Sequence, residues 1–341
     1  MTTPPPEDAG TLAGALAVEG LAFRRFRGAE DYPALLSVRE SARERDGLDP
    51  LSAREPLPTY DDIARAFDNV APGSPDVLIG EVAGDVVGYG RVVEWTEEDG
   101  TRVYLTRGWV RPQDRGRGIG SAMLAWAETR ARERAAAHPE AAARFVYAAN
   151  ASTTERDATA LMLDNGYTVV RRLSELRLGD DALPDVPALP AGVAQRPVVP
   201  ERLRAIYDVW KAAFAGHWGQ IPASAEDYAK FLADYAEGSG CDTALWRVAW
   251  HGDVAVGLVI CSTRGPAAFV DQVGVRPEWQ RRGIARALLV AALRELRGRD
   301  IREIRIYTDA EDGRGAKSLY QSVGFYEIKE YRLYRKPLAL G

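Results

Sequence analysis

Residues 111–123 have the sequence RPQDRGRGIGSAM. It alternates arginine with glycine, and it separates a β-type alternating pattern from a helical pattern. Glycine leaves space for a ligand to approach the backbone, and the first N–H groups of a helix have no partner within that helix. The helix dipole adds partial positive charge at the same place. The stretch therefore predicts a turn that binds an anion such as a phosphate.

The same pattern occurs a second time, as RPEWQRRGIARAL at residues 276–288. With Val110 placed over Val275, VRPQDRGRGIG aligns with VRPEWQRRGIA without gaps. Two further pairs of segments match in the same order, 84–95 with 252–263 and 160–167 with 318–325. Three matches in one order indicate a tandem duplication of a unit of about 150 residues, the size of one domain.

Each copy shows the same order of predicted elements: a helix, strands, a strand that runs into the glycine turn, an amphipathic helix, a strand, a second helix and a final strand. This order predicts an α+β fold with two tandem domains, each a mostly antiparallel twisted sheet flanked by helices. The domains are expected at 20–178 and 193–341, joined by a proline- and aspartate-rich linker at 179–192. Residues 1–19 read as a disordered tail.

The composition is that of a globular protein, with 341 residues, 46% of them hydrophobic and 27% charged. No apolar run is long enough for a membrane span, and the first residues do not resemble a signal peptide, so a cytoplasmic location is expected. A net charge of −5 argues against nucleic-acid binding. Three histidines and two cysteines, widely spaced, predict neither a metal site nor a disulfide framework. The richness in alanine and arginine suggests an actinobacterial genome.

The repeated motifs resemble those of the GNAT superfamily of N-acetyltransferases. The first is Arg/Gln-x-x-Gly-x-Gly/Ala between a strand and a helix, and the second is Leu-Tyr-x-x-x-Gly-Phe. They are found at Arg115, Gly118 and Gly120, at Gln280, Gly283 and Ala285, and at Leu319, Tyr320, Gly324 and Phe325. The resemblance covers residues 20–178 and 193–337, and the tandem arrangement resembles actinobacterial two-domain acetyltransferases of the mycothiol synthase type.

This resemblance implies acetyl-CoA as the acyl donor, with its pyrophosphate on the glycine turn and its pantetheine arm beside the preceding strand. In the second copy, Gly274 favours a bulge in that strand, which would let a backbone N–H face the thioester oxygen. The residues implied in donor binding are Trp109, Val110, Arg115, Gly116, Arg117, Gly118, Ile119, Gly120 and Ser121 in the first copy, and Val273, Val275, Gln280, Arg281, Arg282, Gly283, Ile284 and Ala285 in the second.

Candidate catalytic groups occur in the second copy. The resemblance implies that Tyr320 protonates the departing CoA thiolate, for which a phenol is a suitable acid. Asp271 is a candidate base for the acceptor amine. The first copy has Met162 and Thr106 at these two positions. The carboxylate proposed as the base in mycothiol synthases falls at Phe269 in this sequence. A packed aromatic role for Tyr320 and a salt-bridge role for Asp271 are the alternatives.

The acceptor site is expected near the first helix of the second copy. That helix is followed by FAGHWGQIP, in which His217 and Trp218 are candidate substrate contacts. His217 is also a second candidate base, because imidazole titrates near neutral pH. Regular strand alternation predicts that Asp271, Val273 and Val275 share the face that lines this pocket.

We therefore expect a cytoplasmic N-acetyltransferase, active as a monomer or homodimer. The second copy would transfer an acetyl group to the primary amine of a small molecule by direct attack on the thioester. The first copy would keep a donor site without chemistry. A protein N-terminus or lysine as acceptor, a longer acyl donor, and a non-enzymatic acetyl-CoA-binding sensor or scaffold are the alternatives.

Overall fold

The computed structural model describes residues 18–52, 54, 58–138, 144–219, 224–237, 240–311 and 315–340. The predicted tail therefore lies outside the described residues, apart from Val18 and Glu19. No helix within these ranges is long and apolar enough to cross a membrane. The chain divides into two compact units. The first contains the described residues up to Val170 and those from Arg332 onwards, and the second contains those from Arg171 to Tyr331.

The first unit contains a sheet with the strand order β1-β2-β3-β4-β5, in which only the β4/β5 pair is parallel. Its strands are β1 (Leu21–Arg25), β2 (Val77–Val82), β3 (Asp85–Thr96), β4 (Thr101–Val110) and β5 (Arg144–Ser152). Its helices are α1 (Tyr32–Asp46), α2 (Tyr60–Phe67), α3 (Ile119–Ala137) and α4 (Arg156–Asp164). Strand β6 (Thr168–Leu178) begins in this unit.

The second unit repeats this plan, with β6 from Arg171 onwards, β11, β10, β9, β8 and β7 in that order and a parallel β10/β11 pair. Its strands are β7 (Val193–Arg196), β8 (Arg247–His251), β9 (Val254–Arg264), β10 (Ala267–Val275), β11 (Glu303–Asp309) and the part of β12 (Phe325–Leu338) up to Tyr331. Its helices are α5 (Leu203–Phe214), α6 (Ala225–Tyr235), α7 (Ile284–Gly298) and α8 (Ala316–Gln321). The α+β expectation is confirmed.

Helix α7 follows the turn of the second copy, and its sequence explains its packing. Its apolar side chains recur at helical spacing, and Ile284, Leu288, Ala292 and Leu296 are buried. These side chains belong to a core cluster that also contains Val270 of β10. Burial of such side chains contributes about 1.5–3 kcal/mol each for the larger ones, so the stripe fixes the helix against the sheet. The start of α7 is thereby held at the end of β10.

Residues 179–192, the predicted linker, form neither helix nor strand. They are nevertheless attached to α7. Arg294 donates to the carbonyl of Pro184 and pairs with Asp185, and Arg297 donates to the carbonyl of Gly179. The side chain of Leu183 packs on the same core cluster as α7.

Candidate functional site

The two glycine turns adopt the same backbone conformation. Gly118 and Gly283 precede helices α3 and α7 with φ of 86° and 80°. Two residues earlier, Gly116 and Arg281 have φ of 71° and 61°. Arg281 therefore holds a left-handed conformation that non-glycine residues rarely adopt, at the position where the first copy has glycine. Such a conformation persists where the surrounding structure requires it, and it is typical of ligand-binding turns.

Both helices begin without a side-chain cap. Ile119 and Ile284, the first residues of the helices, are each 1% exposed, so their side chains point into the cores. A Cβ atom built on Gly116 or Gly283 would meet no atom within 4 Å. Open space therefore lies beside a glycine of each turn, and neither helix start is capped by a side chain, which fits the pyrophosphate of acetyl-CoA.

In the first unit, the arginines of the turn are bound to carboxylates. Arg115 donates to both oxygens of Asp46, at 2.6 and 2.8 Å, and to Asp157 at 3.1 Å. Arg117 donates to the buried Asp114 at 3.3 Å. These carboxylates therefore largely balance the positive charge that was expected to bind a phosphate.

In the second unit, the turn keeps its positive charge. Gln280 donates to the carbonyl of Val275 at 3.1 Å, as Arg115 does to Val110 at 2.9 Å. Arg282 lies 4.8 Å from the ring centre of Trp279 and donates to a backbone carbonyl. Among the described residues, neither Arg281 nor Arg282 forms an ion pair. The turn before α7 is therefore the more favourable of the two for an anion.

Strand β10 contains a bulge, but it lies at Asp271 and not at Gly274. Val270 is opposite Cys261 and Gln272 is opposite Ile260, so Asp271 is the extra residue. The extra residue places Val270 and Val275 in the core cluster that contains α7, with Val273 packed against that cluster. The predicted common face of Asp271, Val273 and Val275 is therefore wrong, because regular alternation stops at the bulge.

Gly274 has a different role from the one predicted. A Cβ atom there would lie 2.9 Å from the Cβ of Ala213 and 3.2 Å from the ring of Phe214. Helix α5 can therefore approach β10 closely only because this residue lacks a side chain.

Asp271 has the environment of a functional carboxylate. Its Oδ2 is buried and accepts no hydrogen bond from the described residues, whereas the Ser262 hydroxyl donates to the carboxylate. Burial raises the pKa of Asp271 to about 6, against the lowering effects of Ser262 and Arg264. Asp271 forms no ion pair within the described part of the chain, so the salt-bridge alternative is not observed. A carboxyl with this pKa and one buried oxygen, at a bulge, is a candidate acid–base residue.

Next to Asp271, the side chain of Gln272 is fixed by two aromatic residues that the sequence analysis missed. Its Oε1 accepts from Trp210 Nε1 at 3.1 Å, and its Nε2 donates to the Tyr235 hydroxyl at 2.7 Å. These bonds join β10 to α5 and α6, the helices on the expected acceptor side. The position of Gln272 within an otherwise largely apolar strand was the feature of the sequence that could have indicated these contacts.

Tyr320 lies in α8 and is 6% exposed, with its ring 6.2 Å from that of Phe325 in an edge-on arrangement. Met162, its counterpart in α4, is a buried core residue. Asp271 and Tyr320 belong to the same unit, as does the turn with unbalanced positive charge.

His217 and Trp218 follow α5 and are held by neighbouring side chains. The His217 ring contacts Phe214 edge-on at 5.1 Å, and the Arg171 guanidinium lies 5.6 Å from the ring centre of Trp218. Trp218 is 38% exposed. Gln220 to Ala223 lie outside the described residues.

The profile of the Acetyltransferase (GNAT) family matches residues 39–151 and 203–325, once in each copy. The mycothiol acetyltransferase of Nocardiopsis dassonvillei is 30% identical over 322 residues, which cover 85% of this chain and 88% of that protein. The chain belongs to the GNAT acetyltransferase family. It is therefore an acyltransferase. The mycothiol acetyltransferase of Kineococcus radiotolerans is 31% identical, over 86% of this chain and 89% of that protein.

Solved structures agree with this assignment to the GNAT family. A GCN5-related N-acetyltransferase from Sphaerobacter thermophilus superposes with a TM-score of 0.71 and 25% identity, over 92% of this chain and 95% of that chain. A tandem GNAT protein from the clavulanic acid biosynthesis pathway has a TM-score of 0.65 at 19% identity, over 93% and 98% of the two chains. At 19% identity, the likeness to the tandem GNAT protein shows a shared fold and nothing more.

Proposed function

We propose that this GNAT acyltransferase uses acetyl-CoA to acetylate the primary amine of a small molecule, and that the second unit carries out the chemistry. The observation that carries the proposal is Asp271, the bulge residue of β10, whose carboxylate has one buried oxygen without a hydrogen-bond partner among the described residues and a pKa of about 6. The same unit contains Tyr320. The first unit has Thr106 and Met162 at the equivalent positions.

In this proposal, Asp271 is the general base. At neutral pH it is ionised, and its Oδ2 takes a proton from the ammonium form of the acceptor while Ser262 holds the carboxylate in place. Bound acetyl-CoA supplies the activated acetyl group. The neutral amine attacks the thioester carbon, and the C–S bond breaks. The Tyr320 hydroxyl donates a proton to the departing sulfur, so that the free thiol leaves. The second proton lost by the amine nitrogen reprotonates the tyrosinate, and Asp271 releases its proton to solvent.

The turn before α7 is the proposed donor site. Helix α7 begins without a side-chain cap, and Arg281 and Arg282 add charge that no described carboxylate balances. The first unit has the same backbone, so we propose that it retains a weaker donor site, with Arg115 committed to Asp46. The difference in charge between the two turns supports donor binding chiefly in the second unit.

A small-molecule acceptor is supported by two observations. The curated relatives quoted above are named mycothiol acetyltransferases. In addition, Gln272 and Tyr235 form a polar, hydrogen-bonded wall beside Asp271, of the kind that orients a small polar ligand. Trp218 would contact the same ligand from the end of α5.

The proposal is tested by incubating the purified chain with acetyl-CoA and a panel of small primary amines, including the acceptor of the mycothiol acetyltransferases. Mass spectrometry detects the acetylated product, and lysine-containing and free N-terminal peptides form the comparison panel. We expect at least one small amine to be acetylated with a kcat/KM far above that of any peptide. Exclusive acetylation of peptides, or binding of acetyl-CoA without acetylation of any amine, would reject the proposed acceptor class.

A further inference from the structure

Three arginines of the first unit converge on the face of the sheet that α1 and α2 cover. Arg91 of β3 and Arg107 of β4 are directly opposite each other in the antiparallel pair. Arg39 of α1 has its guanidinium 4.2 Å from the ring centre of Trp109 and bonds to the Tyr89 hydroxyl. Tyr89 and Trp109 form the next cross-strand pair on the same face, so the three positive charges share one aromatic-lined surface.

The opposed pair of Arg91 and Arg107 carries an electrostatic cost, although Arg91 also donates to the carbonyl of Ala66 and lies over the Phe67 ring. Like charges at directly opposite positions of an antiparallel pair destabilise it. Burial and the charge of Arg39 lower the pKa of Arg107, and burial and the charge of Arg107 lower the pKa of Arg91. Arg107 forms no ion pair with a carboxylate in the described ranges. The charge of Asp76 raises the pKa of Arg91, but Asp76 is itself bound by Arg130 and Arg134.

The fold itself does not require these arginines, because the second unit has none of them. The buried residues Leu35, Val38 and Ala42 of α1 correspond in spacing to Ile206, Val209 and Ala213 of α5. By this spacing Trp210 stands where the first unit has Arg39, and the aligned turns place Gln272 where it has Arg107.

The second unit fills these positions with neutral groups. Trp210 Nε1 donates to Gln272 at 3.1 Å, and the residue opposite Gln272 is Ile260. In the second unit, Trp210, Gln272 and Ile260 thus occupy the positions that three arginines hold in the first unit. Between the two units, the three arginines are therefore a property of the first alone.

We propose that Arg39, Arg91 and Arg107 form a binding site in the first unit for the oxyanion of a small metabolite, either a carboxylate or a phosphate. Guanidinium groups bind both kinds of oxyanion through paired N–H donors, and stacking of Arg39 on Trp109 fixes the direction of its donors. A bound oxyanion also removes the repulsion between Arg91 and Arg107. The proposal does not depend on which unit transfers the acetyl group.

The experiment is thermal unfolding of the full chain with inorganic phosphate or citrate, with ionic strength held constant by sodium chloride. We expect a saturating anion to raise the Tm by about 3 °C or more. Arg107→Gln, which introduces the residue of the second unit, abolishes this shift and leaves the Tm without anion equal to or above that of the wild type. Arg43→Gln, on α1 and half exposed in a pair with Glu40, retains the shift.

A larger shift with phosphate identifies a phosphorylated ligand, and a larger shift with citrate a carboxylate. If Arg107→Gln does not fold, the Arg39→Trp/Arg107→Gln variant rebuilds the hydrogen-bonded pair of the second unit and takes its place. The proposal is overturned if neither anion shifts the wild type, or if the variant is stabilised as much as the wild type.

Discussion

The Arg115 guanidinium binds both carboxylate oxygens of Asp46, at 2.6 and 2.8 Å. This pair ties the glycine turn of the first unit to the end of α1, and its side chains are only 18% and 8% exposed. Gln280, at the equivalent position of the second unit, keeps the bond to the strand carbonyl and lacks a charge. The same turn is thus a charge-balanced structural link in one copy and a positively charged turn, the proposed donor site, in the other.

Arg115→Gln should destabilise the first unit by about 1–3 kcal/mol, because the Asp46 carboxylate is left nearly buried without its counter-charge. Urea unfolding followed by circular dichroism measures the effect. Arg144→Gln, which removes an exposed pair with Asp99, is the control and should change stability by less than about 0.5 kcal/mol. Equal midpoints for the two variants would show that the Arg115–Asp46 pair does not stabilise the turn.

Asp271→Asn should reduce kcat/KM by about 10²-fold or more, because the amide cannot accept the proton of the acceptor. In the wild type, kcat/KM should rise with pH through an apparent pKa near 6, where Asp271 loses its proton. The variant should lose this rise. A wild-type profile that is retained in Asp271→Asn would assign the base to another group, and His217→Gln would then be the variant to measure.

The buried carboxyl of Asp271 should make the folded protein less stable as the pH rises. Its folded-state pKa of about 6 lies above the unfolded value, so the folded protein holds this proton more tightly. The stabilising contribution is complete below about pH 4 and is lost as pH rises through 6. Asp271→Asn should therefore be more stable than the wild type by about 1–3 kcal/mol at pH 8, and no more stable at pH 4. Denaturant midpoints at the two pH values measure this, and a variant less stable at pH 8 would contradict it.

Tyr320→Phe should lower kcat by about 10²-fold with a smaller change in KM, since the hydroxyl acts on the leaving group and not on acceptor binding. Tyr326→Phe is the matched control, because Tyr326 is 47% exposed on β12 and has no part in the proposed chemistry. Steady-state kinetics with the best amine separates the two. If both variants retain wild-type kcat, Tyr320 is a packed aromatic residue and the proton comes from elsewhere.

Gly274→Ala should destabilise the second unit by about 1–3 kcal/mol, because the new methyl would lie 2.9 Å from the Cβ of Ala213. Gly298→Ala at the end of α7 is the control, since no atom lies within 4 Å of a Cβ there. Thermal unfolding compares them. A neutral Gly274→Ala would mean that α5 can move away from β10 without cost.

Much of this account could be predicted from the sequence. The order of elements, the two glycine turns and the duplication follow from local patterns, and helix α7 begins at Ile284, directly after the turn. The difference between Tyr320 and Met162 was visible by aligning one copy with the other. These features depend on neighbouring residues and on the internal repeat.

The remaining features depend on contacts between distant residues. The bulge at Asp271 is set by the pairing of β10 with β9, which the sequence of one strand does not reveal. The sequence predicted a bulge at Gly274, whereas the missing side chain of Gly274 leaves room for α5. The partner of Arg115 is Asp46, 69 residues earlier in the chain. The clustering of Arg39 with Arg107 likewise requires a helix and a strand to be packed together.

Whether the second unit carries out the chemistry is tested by comparing Gly283→Glu with Gly118→Glu in the acetyl-transfer assay. Both glycines have a similar positive φ, so backbone strain is matched, and the Gly→Ala variants at the two positions isolate that strain from charge. A carboxylate at Gly283 should repel the pyrophosphate and lower kcat/KM by about 10²-fold beyond Gly283→Ala, whereas Gly118→Glu should differ little from Gly118→Ala. Loss of acetyl transfer in Gly118→Glu with activity retained in Gly283→Glu would place the chemistry in the first unit and contradict the account.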